Sequence, residues 1–170
     1  MSNSQSPFVL NVGFIVHQSA GFSRKFTIDL AQIFLPPDLL LQNVEGTCKV
    51  TRTPQGLLVQ VKMQAKYTIA CARCLSDYQQ PLNIEFAELY AFSQRNVTDS
   101  ELLLPEDGTI DLEPLIREYM LLEMPIIPQC RPDCAGLCSI CGENLTENPH
   151  THEDEDVDPR LAVLKSLLEE

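Results

Sequence analysis

Basic residues are scarce in this chain. Twelve Lys and Arg stand against twenty-four Asp and Glu over 170 residues, giving a formal charge of −12 and a pI near 4.6. That balance excludes binding nucleic acid by wholesale phosphate neutralisation, which needs a dense Lys/Arg patch. Long apolar runs are missing too. The longest, from Phe34 to Leu41, is broken by Pro36, Pro37 and Asp38, so no segment reaches the ~18 residues of a membrane helix. The opening residues MSNSQSP hold no Lys or Arg, so no secretory leader is expected and the expected compartment is the cytoplasm. No internal repeat is visible. Also absent are HExxH, GxSxG, the HxE…CxxC deaminase pattern and a phosphate-binding glycine loop. Asp154, Asp156 and Asp158 have calcium-loop spacing, but Pro159 stands where the sharp turn needs Gly, so that reading fails.

What is present is an ordinary globular composition, 44% hydrophobic and 21% charged, on a chain long enough to bury roughly 70% of its unfolded surface. Seven cysteines stand out: Cys48, Cys71, Cys74, Cys130, Cys134, Cys138 and Cys141. An odd number fits poorly with a closed disulfide framework, and in a reducing compartment close-set cysteines more often bind metal. Cys71-Ala-Arg-Cys74 forms one cluster. Cys130, Cys134, Cys138 and Cys141 form a second, followed by His150 and His152. Cys48 stands alone.

Residues 8–16 read as a first strand, and residues 26–35 carry no clear period. Val44, Gly46, Cys48 and Val50 then alternate with polar neighbours, which makes Cys48 a small buried hydrophobe. Pro54-Gln55-Gly56 reads as a turn. After it Leu57, Val59, Val61, Met63, Ala65, Tyr67 and Ile69 share one parity, while Gln60, Lys62, Gln64, Lys66 and Thr68 share the other. Such alternation specifies a long strand with one face buried and one wet. A further strand follows Pro81 through Leu82, Ile84 and Phe86, so the first Cys-x-x-Cys joins two strands of an antiparallel meander. A polar loop is expected over 93–108. Asp111, Pro114 and the spacing of Leu112, Leu115, Ile116, Tyr119 and Leu122 predict a helix ending before Pro125. Glu143 to Asp158 reads as a solvated acidic connector. Asp158-Pro159 predicts a closing helix with Leu161, Leu164 and Leu168 as its apolar stripe. The expected class is α+β: a partly closed antiparallel sheet with a central helix over 1–128, and a zinc-binding, helix-ending tail over 129–170.

Thiolates are strong Zn²⁺ ligands, and zinc prefers four donors in a tetrahedron. Six thiols and two imidazoles suffice for two ions. One grouping is Cys71, Cys74, Cys130 and Cys134, with Cys138, Cys141, His150 and His152 as a second site. A rival puts both Cys-x-x-Cys pairs on one ion, and spacing does not choose between them. Thiolate-rich, fully occupied sites are typically structural. A redox role for Cys71 and Cys74 would need a helix starting inside the motif, whereas strands flank it. His17 has no visible partner.

The order of motifs resembles the YceD family, the large ribosomal RNA subunit accumulation proteins. Cys-Ala-Arg-Cys-Leu follows a long alternating strand; Pro-Ile-Ile-Pro precedes the second cluster. Then come Cys-Ala-Gly-Leu-Cys-Ser-Ile-Cys-Gly-Glu-Asn-Leu and a closing Asp-Pro-Arg-Leu-Ala-Val-Leu. The resemblance implies a non-enzymatic cytosolic factor needed for normal large-subunit rRNA levels. Its implied partner is a ribosomal protein or a precursor large-subunit particle, with no membrane; direct RNA contact is not indicated by the charge, though the exposed parity of the long strand, Lys62, Lys66 and neighbours, could touch RNA locally. It points to Cys71, Cys74, Cys130, Cys134, Cys138 and Cys141, with His150 and His152 where many relatives carry Cys-x-Cys. Cysteine density alone supports the alternative, a metal- or thiol-dependent enzyme such as a nuclease or redox protein.

Overall fold

The structure, a computed structural model, describes residues 6–97 and 102–152. Four long strands dominate it: β2 (Ser23–Leu35), β3 (Leu39–Arg52), β4 (Gly56–Ala70) and β5 (Asp77–Ala91), paired in that order as an antiparallel meander. Two short strands, β1 (Val9–Asn11) and β6 (Thr109–Asp111), pair with each other. Helix α1 is a single turn, Gly13–Val16, and α2 covers Glu113–Leu122. The expected class is therefore corrected. The described residues are 46% strand and 12% helical, so the chain is mostly β rather than α+β, and the sheet is not closed. The stretch that showed no period, residues 26–35, is a full edge strand. The expected first strand over 8–16 stops after Asn11 and turns helical at Gly13. The expected closing helix lies outside the described residues.

Alternation in β4 works as expected. Leu57, Val59, Val61, Met63 and Ala65 are buried, and Gln60, Lys62, Gln64 and Lys66 are exposed. In β5, Leu82, Ile84 and Phe86 join the same core. Strand β3 changes phase midway. Leu39 and Leu41 are buried on odd numbers, but Val44, Cys48 and Val50 on even ones. A bulge between Gln42 and Glu45, with Asn43 in the left-handed region at φ 49°, supplies the extra residue. Without it one end of the strand would turn its leucines to water.

The core face is covered by Phe8, Val12, Ile15, Ile110, Leu112, Ile116 and Met120, all fully buried. Asp111 accepts the Glu113 backbone N–H at 2.9 Å, and Pro114 lies in the first turn, so α2 starts where the sequence places it. The helix is fixed to the sheet by Tyr119, whose ring stacks on Phe86 at 4.3 Å and whose hydroxyl donates to Glu88 at 2.9 Å. Arg117 reaches back to Asp38 between β2 and β3. The chain leaving α2 is thereby aimed at the β4–β5 end of the sheet, where Cys71 and Cys74 sit.

At Gly46, β3 and β4 approach too closely for a side chain. A Cβ there would meet the Lys62 carbonyl oxygen at 2.5 Å and Met63 Cα at 2.8 Å, backbone atoms that cannot step aside. Gly46→Ala is expected to destabilise the protein by about 1–3 kcal/mol with an unchanged urea m-value, read from equilibrium denaturation; unchanged stability would contradict the close approach.

Burial pushes the Cys48 thiol up to about 12 from its usual 9.0, and burial likewise pushes the Tyr90 phenol up to about 12. Between pH 9 and 12 the unfolded chain releases the Cys48 proton while the folded chain keeps it. Stability should thus fall with rising pH in that window, by up to ~1.4 kcal/mol per pH unit for this group. Urea midpoints measured from pH 8 to 11 are expected to fall less steeply in Cys48→Ala than in the wild type, whatever its loss at pH 8; parallel curves would refute the assignment.

Candidate metal centre

Two local folds of the same kind present the cysteines. In the first, Cys71 N–H donates to the Ser76 carbonyl at 2.9 Å and Leu75 N–H to the Cys71 carbonyl at 2.9 Å. In the second, Cys138 N–H donates to the Glu143 carbonyl at 2.8 Å and Gly142 N–H to the Cys138 carbonyl at 2.9 Å. In each, the backbone N–H two residues on points at the first sulfur: Arg73 at Cys71 Sγ, 3.4 Å, and Ile140 at Cys138 Sγ, 3.5 Å. Each turn closes on a left-handed residue, Leu75 at φ 60° and Gly142 at φ 76°. Glycine takes that conformation freely, while leucine pays a steric penalty. Leu75 is the position the sequence reading missed; aligning the two Cys-x-x-Cys segments puts it in register with Gly142.

The structure chooses between the groupings that spacing left open. Cys71, Cys74, Cys130 and Cys134 bring their sulfurs within 4.8 Å of one another. Cys71 Sγ lies 3.9 Å from Cys134 Sγ, and Cys74 Sγ 3.7 Å from Cys130 Sγ. A tetrahedron with Zn–S bonds of about 2.3 Å has S···S edges of about 3.8 Å, so the donors fit one such ion. Cys71, Cys74 and Cys134 are buried and Cys130 is half-buried. Tyr78 packs against the cluster. The second group is Cys138, Cys141, His150 and His152, also within 4.8 Å. There Cys141 Sγ is 3.1 Å from His150 Nε2. His150 Nδ1 lies 2.8 Å from the Asn148 carbonyl. That contact directs Nε2 inward, as the second nitrogen of a metal-binding histidine usually requires. Both groups could hold a metal ion. His17 is exposed and far from either in sequence, and Cys48 lies in the main core.

The electrostatics of both groups would suit a cation. Backbone N–H groups of Cys74 and Cys130 draw the Cys71 thiol down to about 6, against the opposing effect of burial. Backbone N–H groups of Cys141 and Ile140 draw Cys138 down to about 6 as well. The Ser76 backbone N–H and hydroxyl lower Cys74. Cys130 moves the other way, up to about 12, because it is desolvated among Cys74, Cys134 and Cys71. Four thiolates this close repel one another, and the last cannot ionise until a positive charge sits among them. Contact with the Asn148 carbonyl and with Cys138 raises the proton affinity of His150, a proton that a metal ion on Nε2 would displace.

The second group hangs on the first. Ala72 N–H donates to the Pro128 carbonyl at 2.8 Å, which lays the second cysteine segment beside the first turn. Arg73 does the rest: its carbonyl accepts Leu137 N–H at 3.2 Å, and its Nη1 donates to the Cys134 carbonyl at 2.9 Å. Thr146 closes the arrangement by accepting Ala135 N–H at 3.1 Å, with its hydroxyl 4.0 Å from Cys134 Sγ.

One family's sequence pattern, described as "Large ribosomal RNA subunit accumulation protein YceD", matches residues 59–168. The chain belongs to the YceD family. The match opens inside β4 and takes in both cysteine clusters. Similar proteins include the uncharacterized protein Mb2951c of Mycobacterium bovis, 37% identical over 124 residues, covering 71% of this chain and 59% of that one. The uncharacterized protein ML1660 of Mycobacterium leprae is 34% identical over 125 residues, 71% and 57% of the two chains. The uncharacterized protein YlbN of Bacillus subtilis is 32% identical over 104 residues, 60% of each. The aligned stretch thus spans about 59% of the length of the mycobacterial YceD relatives. No solved structure matches this YceD chain significantly. None of its described helices is long and apolar enough to cross a membrane.

Proposed function

We propose that this chain is a non-enzymatic factor in large ribosomal subunit biogenesis, braced by two structural zinc ions. The observation that carries the bracing role is the four-sulfur cluster. Four protein donors complete a tetrahedron and leave no position for a reacting water, which is how structural zinc sites differ from catalytic ones. The family description supports the biogenesis role. The formal charge of −12 suits a basic partner such as a ribosomal protein, since complementary charge speeds encounter and discourages wrong contacts. Deleting the gene is expected to lower large-subunit rRNA relative to small-subunit rRNA. Tagged protein is expected to recover large-subunit proteins or precursor particles. Balanced rRNA together with recovery of neither would reject the biogenesis role.

The metal reading has its own test. Cys74 and Cys130 lie 56 residues apart, so an ion between them closes a long loop, and zinc affinity at such sites becomes folding energy of roughly 10 kcal/mol at neutral pH. Elemental analysis is expected to find two zinc ions per chain, with at least one lost in Cys74→Ser. Chelation should then raise amide exchange about tenfold or more across 130–152, while β3 and β4 keep their protection. A melting temperature indifferent to chelator would overturn the bracing role.

A further inference from the structure

The open face of the four-stranded sheet carries a charge pattern that folding does not explain. Four of the chain's five lysines stand on it, Lys25, Lys49, Lys62 and Lys66, with four of its twenty-four carboxylates, Asp29, Glu45, Asp77 and Glu85, of which Asp77 lies at the far end of β5. Lys25 and Lys49 are directly opposite each other on β2 and β3. Like charges in that relation destabilise a sheet, and no carboxylate pairs with either ammonium among the described residues. Lys62 is the next cation over, on β4 opposite Thr47. It touches Glu85 at 2.6 Å, but both side chains are about two-thirds exposed, and an exposed pair holds by only ~0–1 kcal/mol, so its ammonium can change partner cheaply. A trough of about 680 Å³ crosses all four strands here, lined by Lys62 and by Asp29, Glu45 and Glu85, and one of about 420 Å³ adjoins it between Lys25, Lys49 and Lys62.

The rest of this face decides the occupant. From Lys25 to Lys66 it presents no aromatic side chain; the exposed Phe34–Leu40 pair lies beyond, at the β2–β3 hairpin end. There is thus no platform on which unpaired bases could stack, and no aromatic anchor of the kind that dominates protein interfaces. Thr27, Thr47, Gln60 and Asn83 instead offer hydroxyls and amides among the lysines. Ammonium, hydroxyl and amide groups without stacking rings suit phosphate and ribose 2′-hydroxyl contacts to a duplex read by shape. We propose that this face docks the sugar–phosphate backbone of double-stranded RNA, with Lys25 and Lys49 as its principal phosphate contacts. With its four lysines this face repels a polyanion far less than the chain's formal charge of −12 would by itself. The inference deepens the large-subunit reading and rests on it.

Binding is tested with the full-length, metal-loaded protein and a fluorescein-labelled 20-base-pair RNA duplex, by anisotropy over a series of salt concentrations. Lys25→Gln/Lys49→Gln is expected to bind about tenfold more weakly and to lower the slope of log K against log salt by about 2. Arg95→Gln/Arg131→Gln, which removes the same charge elsewhere, is expected to stay within about twofold of the wild type. The surface assignment falls if the lysine variant binds like wild type, if both variants lose equally, or if polyglutamate displaces the duplex as well as unlabelled RNA does. The last outcome would mark the face as a site for an acidic protein segment. Co-sedimentation of the wild type with precursor particles separates the two readings. If it co-sediments and the lysine variant still binds duplex normally, only the surface is lost. If lysine-dependent duplex binding occurs without any large-subunit association, the surface stands and the biogenesis reading falls.

Discussion

The convergence of four cysteine sulfurs at one end of the sheet is the constraint around which the described part of the tail is arranged. Two sulfurs leave the end of the sheet between β4 and β5, two arrive from residues 130 and 134, and all four come within 4.8 Å. Backbone N–H groups favour the thiolate at Cys71, and that same charge makes ionisation of Cys130 harder. A cation among them would offset that conflict. Each contact around it serves the approach: α2 pinned through Tyr119, the Pro128 carbonyl on Ala72 N–H, and Arg73 clasping the Cys134 carbonyl. The sheet is self-sufficient, with its own buried core. The tail has only a small cluster of cysteines with Tyr78, too little apolar surface to order the segment from 130 to 152 by burial alone.

The strands were legible wherever side chains alternate between a core and water. That is why β4, β5, the second half of β3 and the start of α2 could be placed from residues alone. Strand β2 was not, because it lies at the sheet edge and much of it is exposed on both faces, including Arg24 beside Lys25 and Ala31 beside Gln32. An edge strand loses the period-two signal when neither face is fully covered. The bulge at Gln42–Glu45 hid for a different reason. Two short runs of opposite phase, Leu39–Leu41 and Val44–Val50, look like unrelated segments until the bulge joins them. The α+β expectation rested on strands preceding helices along the chain, and it gave two helices a weight that 12% helical content among the described residues does not bear out. The opening segment failed because Val12 and Ile15, three apart, serve a helical turn as well as a strand.

At the candidate site the ligand types were legible and their partners were not. Spacing within Cys-x-x-Cys fixes a local turn, and Gly142 announces the left-handed residue that completes it. Leu75 does the same work with no compositional signal. Which turn meets which later cysteine is decided by contacts far along the chain, above all Ala72 with Pro128 and Arg73 with Leu137. Those are backbone hydrogen bonds, and backbone groups carry no mark in the sequence.

The difference between the two groups follows from charge. Zinc held by four thiolates carries a net charge of about −2, whereas zinc held by two thiolates and two neutral imidazoles is about neutral. The first cluster is built to tolerate such a charge, because the Arg73 N–H of the Cys71 turn points at sulfur and the guanidinium of Arg73 is anchored 2.9 Å from the Cys134 carbonyl. The second sits beside Glu143, whose carboxylate is 3.8 Å from His150 Nδ1, and is followed by Glu153, Asp154, Glu155 and Asp156 in the sequence. A second tetrathiolate there would add charge of the same sign to an already acidic neighbourhood, with exposed Cys141 giving it little shelter. For an ion bound there, His150 and His152 would keep the donor count without that repulsion. Were a metal ion held there, each imidazole exchanged for a thiolate would add negative charge beside Glu143, a repulsion that falls as salt screens it.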